Sequence, residues 1–233
     1  MNKINQFPIR LICATRLDQT QFFSHTATGR SVKAFASISR VEMTIYDNNT
    51  RGLSEVYNYS IEKSIDNPAI LVFIHDDILI CDFFWGERIR NGLENFDIVG
   101  LAGNKRRIKN QPSWAFVDDK FTWDNKENLS GTVGHGKTFP PNKIHPYGPS
   151  GCECKLVDGL LIAVSSKTLI ESGLRFDEHF KFHFYDLDFC RQAEKLNLKI
   201  GTIPLSVLHE SGGSFGSKQW KNSYQDYLSK WKS

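Results

Sequence analysis

Residues 69–74, Ala-Ile-Leu-Val-Phe-Ile, form an unbroken apolar run that ends directly in His75-Asp76-Asp77. A strand without polar alternation is stable only when both of its faces are covered, as in a parallel sheet sandwiched between helices. The pattern recurs in Ile9-Arg10-Leu11-Ile12-Cys13-Ala14, which stops at Thr15-Arg16, and in Glu42-Met43-Thr44-Ile45-Tyr46, which stops at Asp47-Asn48-Asn49. A further strand is expected at 97–102. Helical stretches fall between them, over 20–37, at 52–63 (Leu53, Val56, Tyr57 and Ile61 share a face) and at 82–94 (Phe83, Phe84, Ile89 and Leu93). Strands alternating with helices predict an α/β fold with a mostly parallel sheet and helices on both faces. Such sheets take ligands beyond the carboxyl ends of their strands, where Thr15, Asp47 and the Asp76-Asp77 pair all fall.

The composition excludes several other classes. A chain of 233 residues with 40% hydrophobic and 24% charged residues can bury a core and is neither disordered nor fibrous. A net charge of +3 is too small to argue for a nucleic-acid binder. No apolar run approaches the roughly 20 residues of a membrane span, and the start MNKINQFPIR lacks the apolar stretch of a secretion signal, so the expected location is the cytoplasm. Cys13, Cys81, Cys152, Cys154 and Cys190 are odd in number and scattered, which fits reduced thiols. The Cys152-x-Cys154 pair lacks the second pair that a structural zinc site needs.

Periodicity fades over 104–155, rich in Gly, Pro, Asn, His and Trp. It reads as an irregular functional loop or insertion, with one hairpin over 114–123. Order returns with a strand at 156–165, a helix at 186–196 with Asp186 near its start, and an extended piece at 200–208 broken by Pro204. Trp220, Tyr224, Tyr227, Leu228 and Trp231 line one face of a last helix, with Lys218, Lys221, Lys230 and Lys232 beside them. That face is expected to pack on the protein or on a second subunit, with peripheral contact at a membrane surface as the alternative. One compact domain over 1–215, followed by this helix over 216–233, is the expected organisation.

Three clusters offer chemistry. Adjacent carboxylates at the mouth of a buried strand repel each other unless a cation or hydrogen-bond donors compensate, so Asp76 and Asp77 either hold Mg²⁺ or Mn²⁺ or serve as a helix cap with a solvated neighbour. In Phe182-His183-Phe184-Tyr185-Asp186-Leu187-Asp188, apolar neighbours can raise an acidic group into the range of a general base, although N-capping is the plainer reading. His209 ends a strand before Glu210-Ser211-Gly212-Gly213-Ser214, where it can ligate a metal or donate to a phosphate, or be purely structural. The run Lys105-Arg106-Arg107-Ile108-Lys109 is a candidate phosphate contact, with a solvated loop as the plainer reading.

Taken in order, the Asp-Asp strand end, Val157-Asp158-Gly159-Leu160-Leu161-Ile162, Phe176-Asp177-Glu178, Tyr185-Asp186-Leu187-Asp188-Phe189 and His209-Glu210-Ser211-Gly212-Gly213-Ser214 resemble family-two glycosyltransferases with the GT-A fold. The resemblance covers roughly residues 9–215 and is poorest over 104–155. It implies a metal-dependent, inverting transfer of a sugar from a nucleoside diphosphate sugar to a hydroxyl of a glycan or lipid-linked acceptor. It further implies Asp77 and His209 as ligands of Mn²⁺ or Mg²⁺ with Asp76 beside them, and Thr15, Arg16 and Asp47 on the nucleoside. Asp186 would be the general base, with Asp188 as the alternative, since Tyr185 stands where the family has Glu. Asp158, Gly159, Tyr185 and Trp114 would face the sugars. A nucleotidyltransferase, or an inactive nucleotide-sugar or glycan-binding module, are the competing readings; Thr15-Arg16-Leu17-Asp18 shows no Gly-rich phosphate loop of the kind the former needs.

Overall fold

In the computed structural model, which describes residues 7–36 and 41–232, the chain begins β1 (Ile9–Ala14), α1 (Gln19–His25), α2 (Ala27–Phe35), β2 (Val41–Tyr46), α3 (Leu53–Glu62) and β3 (Ile70–Ile74). The end of the helical expectation over 20–37 lies outside the described residues. There follow β4 (Ile78–Ile80), α4 (Trp85–Leu93), β5 (Ile98–Gly100), β6 (Ala102–Asn104), β7 (Leu129–His135), β8 (Lys143–Gly148), β9 (Glu153–Cys154) and β10 (Leu156–Val157). The remainder is β11 (Leu161–Ser165), α5 (Ser166–Ser172), α6 (Tyr185–Lys195), β12 (Ile200–Thr202), β13 (Val207–His209) and α7 (Lys218–Trp231).

Two sheets result, one in the order β2-β1-β3-β11-β5-β12-β9 and one in the order β10-β6-β7-β13-β4, with β8 on β7. β1 is parallel to both β2 and β3. All five residues of β3 are buried, each worth roughly 1.5–3 kcal/mol of transfer free energy. Past β3 the sheet is mixed: β11 runs antiparallel to both β3 and β5, and β12 is parallel to β5.

The two strands expected at 97–102 and 156–165 each break in two and pass from one sheet to the other. The first breaks at Leu101 between β5 and β6. The second breaks at Asp158-Gly159, because the Asp158 carboxylate turns back to accept from Leu160 N at 3.0 Å. The expectation of an irregular 104–155 is corrected: β7 and β8 form an antiparallel hairpin, and β7 lies at the centre of the second sheet. Glycines hid it, since they carry no hydrophobic pattern; Gly131, at φ +100, sits where any Cβ would strike the Leu101 carbonyl. The expected 114–123 hairpin reduces to a single bridge between Phe116 and Trp123. Strand β4 was not legible either, being three residues long and adjacent to polar Asp76-Asp77.

The aromatic face of α7 is spent on the protein itself. Trp220, Tyr224 and Tyr227 are buried, with ring centroids 5.3, 5.6 and 5.3 Å from the Phe184 ring. Phe176 and Phe180 are core residues; Phe176 stacks on Phe189 at 4.2 Å. Arg106 and Arg107, in the basic run, are paired with Asp124 and Glu194 at 2.5 and 3.1 Å. All five cysteines are free. Among the described residues no helix is long and apolar enough to cross a membrane.

Candidate active site

A cavity of about 580 Å³ opens where the two sheets meet the start of α6, and Asp77, Asp158 and Asp186 all line it. Three chain breaks bring them there: the end of β3, the β10–β11 break and the entry into α6. Phe184 enters α6 in the left-handed region at φ 64, anchored under Trp220, Tyr224 and Tyr227. The next two residues, Tyr185 and Asp186, thereby face the cavity.

Asp186 accepts from Gly159 N at 3.0 Å and from Leu187 N at 2.9 Å. Among the described residues no cation pairs with it: burial, with the negative Asp158 beside it, raises its carboxyl to about 7 against the backbone N–H groups that favour the anion. Gly159 is required here, because any Cβ would collide with the Tyr185 hydroxyl and crowd Asp186. Tyr185 donates to Gly159 O at 2.8 Å, and its oxygen lies 2.8 Å from His75 Nε2. Burial lowers the His75 pKa. Asp158 accepts from Trp114 Nε1 at 2.6 Å, so the indole fixes the carboxylate that in turn raises Asp186.

At the β3 end, Asp77 Oδ2 lies 3.2 Å from His209 Nε2, which is itself 3.0 Å from Ser211 Oγ. Burial works against the Asp77 anion, but bonding and charge from His209, with Ser211 and His75, bring its pKa down to about 2. Asp76 points elsewhere: its carboxylate accepts from Thr15 Oγ1 at 2.7 Å, tying the ends of β1 and β3 together. Thr15, Arg16, Asp47 and Asp76 all lie outside the cavity lining, and Arg16 and Asp47 are exposed at the ends of β1 and β2. Of the sequence candidates, Asp77, His209, Asp158, Gly159, Tyr185, Asp186 and Trp114 are brought together.

Asp188 is not part of the site. It is fully buried behind α6, where Lys230 Nζ at 2.6 Å, Trp231 Nε1 at 2.8 Å and Gln192 Nε2 at 2.6 Å occupy its oxygens.

Among the cavity residues that escaped the sequence reading are His135 on β7, and His145 and Tyr147 on β8. The i, i+2 spacing of His145 and Tyr147 in Lys143-Ile144-His145-Pro146-Tyr147 is the signal that was there to read. Tyr147 lies edge-on to Trp114 at 4.9 Å and stacks on Trp123 at 5.7 Å and 17°. Among the described residues no lysine or arginine lines the cavity opposite this aromatic wall.

The Asp77 and His209 pair suits a divalent cation, because the other oxygen of Asp77, Oδ1, is buried without a hydrogen-bond partner. Among the described residues no three His, Cys, Asp or Glu side chains already converge into a cage.

No family profile matches the chain, and no curated protein is significantly similar to it. Solved structures are similar in fold. GalNAc-T7 with UDP, GalNAc and Mn²⁺ superposes with a TM-score of 0.54 at 9% identity, over 95% of this chain and 50% of that one, so the chain spans about half of that protein's length. The catalytic domain of Drosophila β1,4-galactosyltransferase 7 in complex with xylobiose gives 0.52 at 8% identity, over 94% and 79% of the two chains. A197 from STIV gives 0.50 at 8% identity, over 88% and 86%. Two of these three are glycosyltransferases by name, and the β-sheets and helices that carry the cavity are those of the GT-A glycosyltransferase fold.

Proposed function

We propose that the chain is an inverting glycosyltransferase that moves a sugar from a nucleoside diphosphate sugar to a hydroxyl of a glycan or lipid-linked acceptor. The observation that carries this reading is the pairing, in one cavity, of a cation-free carboxylate near neutrality (Asp186) with an Asp77–His209 pair at the end of the central strand.

In the reaction, the acceptor oxygen forms a bond to the anomeric carbon as the bond from that carbon to the phosphate oxygen breaks. Asp186 takes the hydroxyl proton, and its raised pKa suits it to do so near pH 7. Asp158 holds Asp186 in that range, and Trp114 holds Asp158. Gly159 lets the Tyr185 ring and Asp186 pack directly against its backbone, and Tyr185 fixes the Gly159 carbonyl. Asp77 and His209 would hold Mn²⁺ or Mg²⁺, which when bound supplies charge to stabilise the departing diphosphate. Thr15 and Asp76, tied to one another, with Arg16 and Asp47 at the neighbouring strand ends, receive the nucleoside. Trp114, Trp123 and Tyr147 present ring faces and edges to the acceptor.

Residues 1–215 act as the catalytic unit in this reading, with 216–233 as its brace, at a cytoplasmic location where a lipid-linked acceptor would be met at the membrane face.

The test is release of nucleoside diphosphate from a panel of nucleotide sugars with Mn²⁺, with and without glycan acceptors. Slow donor hydrolysis lost in Asp77→Ala supports the proposal; failure of every nucleotide sugar to bind, with or without metal, overturns it.

A further inference from the structure

Four buried side-chain polar atoms lack a hydrogen-bond partner among the described residues, and two of them flank His209 in the cavity: Asp77 Oδ1 and His135 Nε2. An orphaned buried polar atom is costly, so two in one ligand-sized cavity, each next to His209, call for a common occupant. A phosphate would satisfy the imidazole but be repelled by the carboxylate. A cation satisfies both, since each can present a lone pair.

The placement of His135 is fixed by the sheet. β7 runs parallel to β13, with His135 in register with His209, and Gly136 N donates to His209 O at 3.3 Å. The two imidazole centroids are 5.9 Å apart, close to the roughly 5 Å expected of two rings sharing an ion at 2.0–2.1 Å. Asp77 Oδ2 and His209 Nε2 at 3.2 Å already have the spacing of neighbouring ligand atoms around such an ion, about 3 Å. His145, edge-on to His135 at 4.9 Å, backs that ring from β8.

We infer that His135 is the third protein ligand of the cation held by Asp77 and His209, making an Asp-His-His set that selects a borderline transition ion over Mg²⁺. Two imidazole nitrogens and one carboxylate favour Mn²⁺ and the later divalent ions, whereas Mg²⁺ prefers oxygen and water. Closure needs rotation of the His135 and His209 side chains on strands that are already in register. This inference rests on the metal assignment in the proposed function, from which its failure can be told apart.

The experiment is Mn²⁺ titration of the full chain followed by electron paramagnetic resonance of the free ion, with Mg²⁺ competition, and by paramagnetic broadening of the histidine ring signals. Expected are one site, broadening of both His135 and His209, at least about a tenfold loss of Mn²⁺ affinity in His135→Ala, and poor displacement by Mg²⁺. His135→Gln, which keeps a polar side chain without the imidazole, should lose affinity equally while folding as wild type by circular dichroism. His179→Ala, on the surface against Asp226, should bind normally. Wild-type affinity in both His135 variants, with His135 sharp and Asp77→Ala inactive in binding, overturns the third ligand and leaves the proposed function standing. Absence of any Mn²⁺ site in the wild type overturns both the ligand set and the metal dependence.

Discussion

Asp186 and Asp188 stand two residues apart in the first turn of α6, and both are taken out of bulk water. Their surroundings differ in one respect. Asp188 faces the back of the helix, where a lysine, an indole and a glutamine amide occupy its oxygens. Asp186 faces the cavity with two backbone N–H groups and a second carboxylate for company. The first arrangement locks α7 onto the fold; the second keeps a carboxyl poised between its charged and neutral forms. Burial does not make a carboxylate functional. What differs here is the partner: Lys230 at Asp188, and a second carboxylate at Asp186.

The sharpest way to break this contrast is Asp186→Asn. Turnover of the proposed reaction should fall by about 10²–10⁴, the range a general base contributes, with nucleotide binding kept; an Asn variant as fast as wild type would remove the base assignment. The same variant reads the strain in the native carboxyl. A folded-state pKa of about 7 lies above the ordinary carboxylate value of 3.8, so the wild type loses stability as pH rises from about 4 to 7, when the unfolded chain ionises first. Relative to Asp186→Asn, wild-type stability should therefore decline by about 1–3 kcal/mol between pH 4 and pH 8, after allowance for solvent screening, as followed by thermal melts.

Lys230→Met tests the other member. It strands the fully buried Asp188 with only the indole and amide donors, and should cost about 2–4 kcal/mol of stability while leaving kcat per folded molecule within about twofold. A large kcat effect in a stably folded variant would give Asp188 a part in the chemistry. A third prediction concerns pH: activity should rise through about pH 7 as Asp186 ionises, and a profile flat from pH 5 to 8 at saturating substrate would contradict it. Trp114→Phe keeps the ring but removes the N–H bonded to Asp158, for a loss of about tenfold in kcat/KM and a shifted pH profile. The smallest effect is expected from Trp123→Ala: half exposed and stacked on Tyr147, it should raise the acceptor KM several-fold with thermal stability unchanged.

The parts of this molecule that could be read in advance are those with a strong local signature. β3 was visible because five consecutive apolar residues have one physical explanation. The carboxylates at its end were visible because charge after such a run is expensive. Asp186 is preferred over Asp188 by motif order alone; nothing local separates two acidic residues on one helical turn, and their surroundings part only through contacts such as the Lys230–Asp188 bond, across 42 positions of sequence. The β7–β8 hairpin was missed because Gly131, Gly134 and Gly136 dilute its alternation, and with it went His135, His145 and Tyr147. The aromatic residues around Asp186 divide in a way the sequence does not show: Phe176 and Phe180 fill the core, whereas Phe182 lines the cavity with Trp114, Trp123 and Tyr147.

The sequence by itself determined the parallel start of the sheet, the polar ends of β1, β2 and β3, and the identity of the acidic groups, because apolar continuity and charge are properties of neighbours in the chain. Tertiary structure alone decided which of those groups share a cavity, which carboxylate is neutralised by α7, and that His135 lies beside His209. Those outcomes depend on strand register and helix docking between segments far apart in sequence, and a pKa or a ligand set belongs to what surrounds a side chain in space.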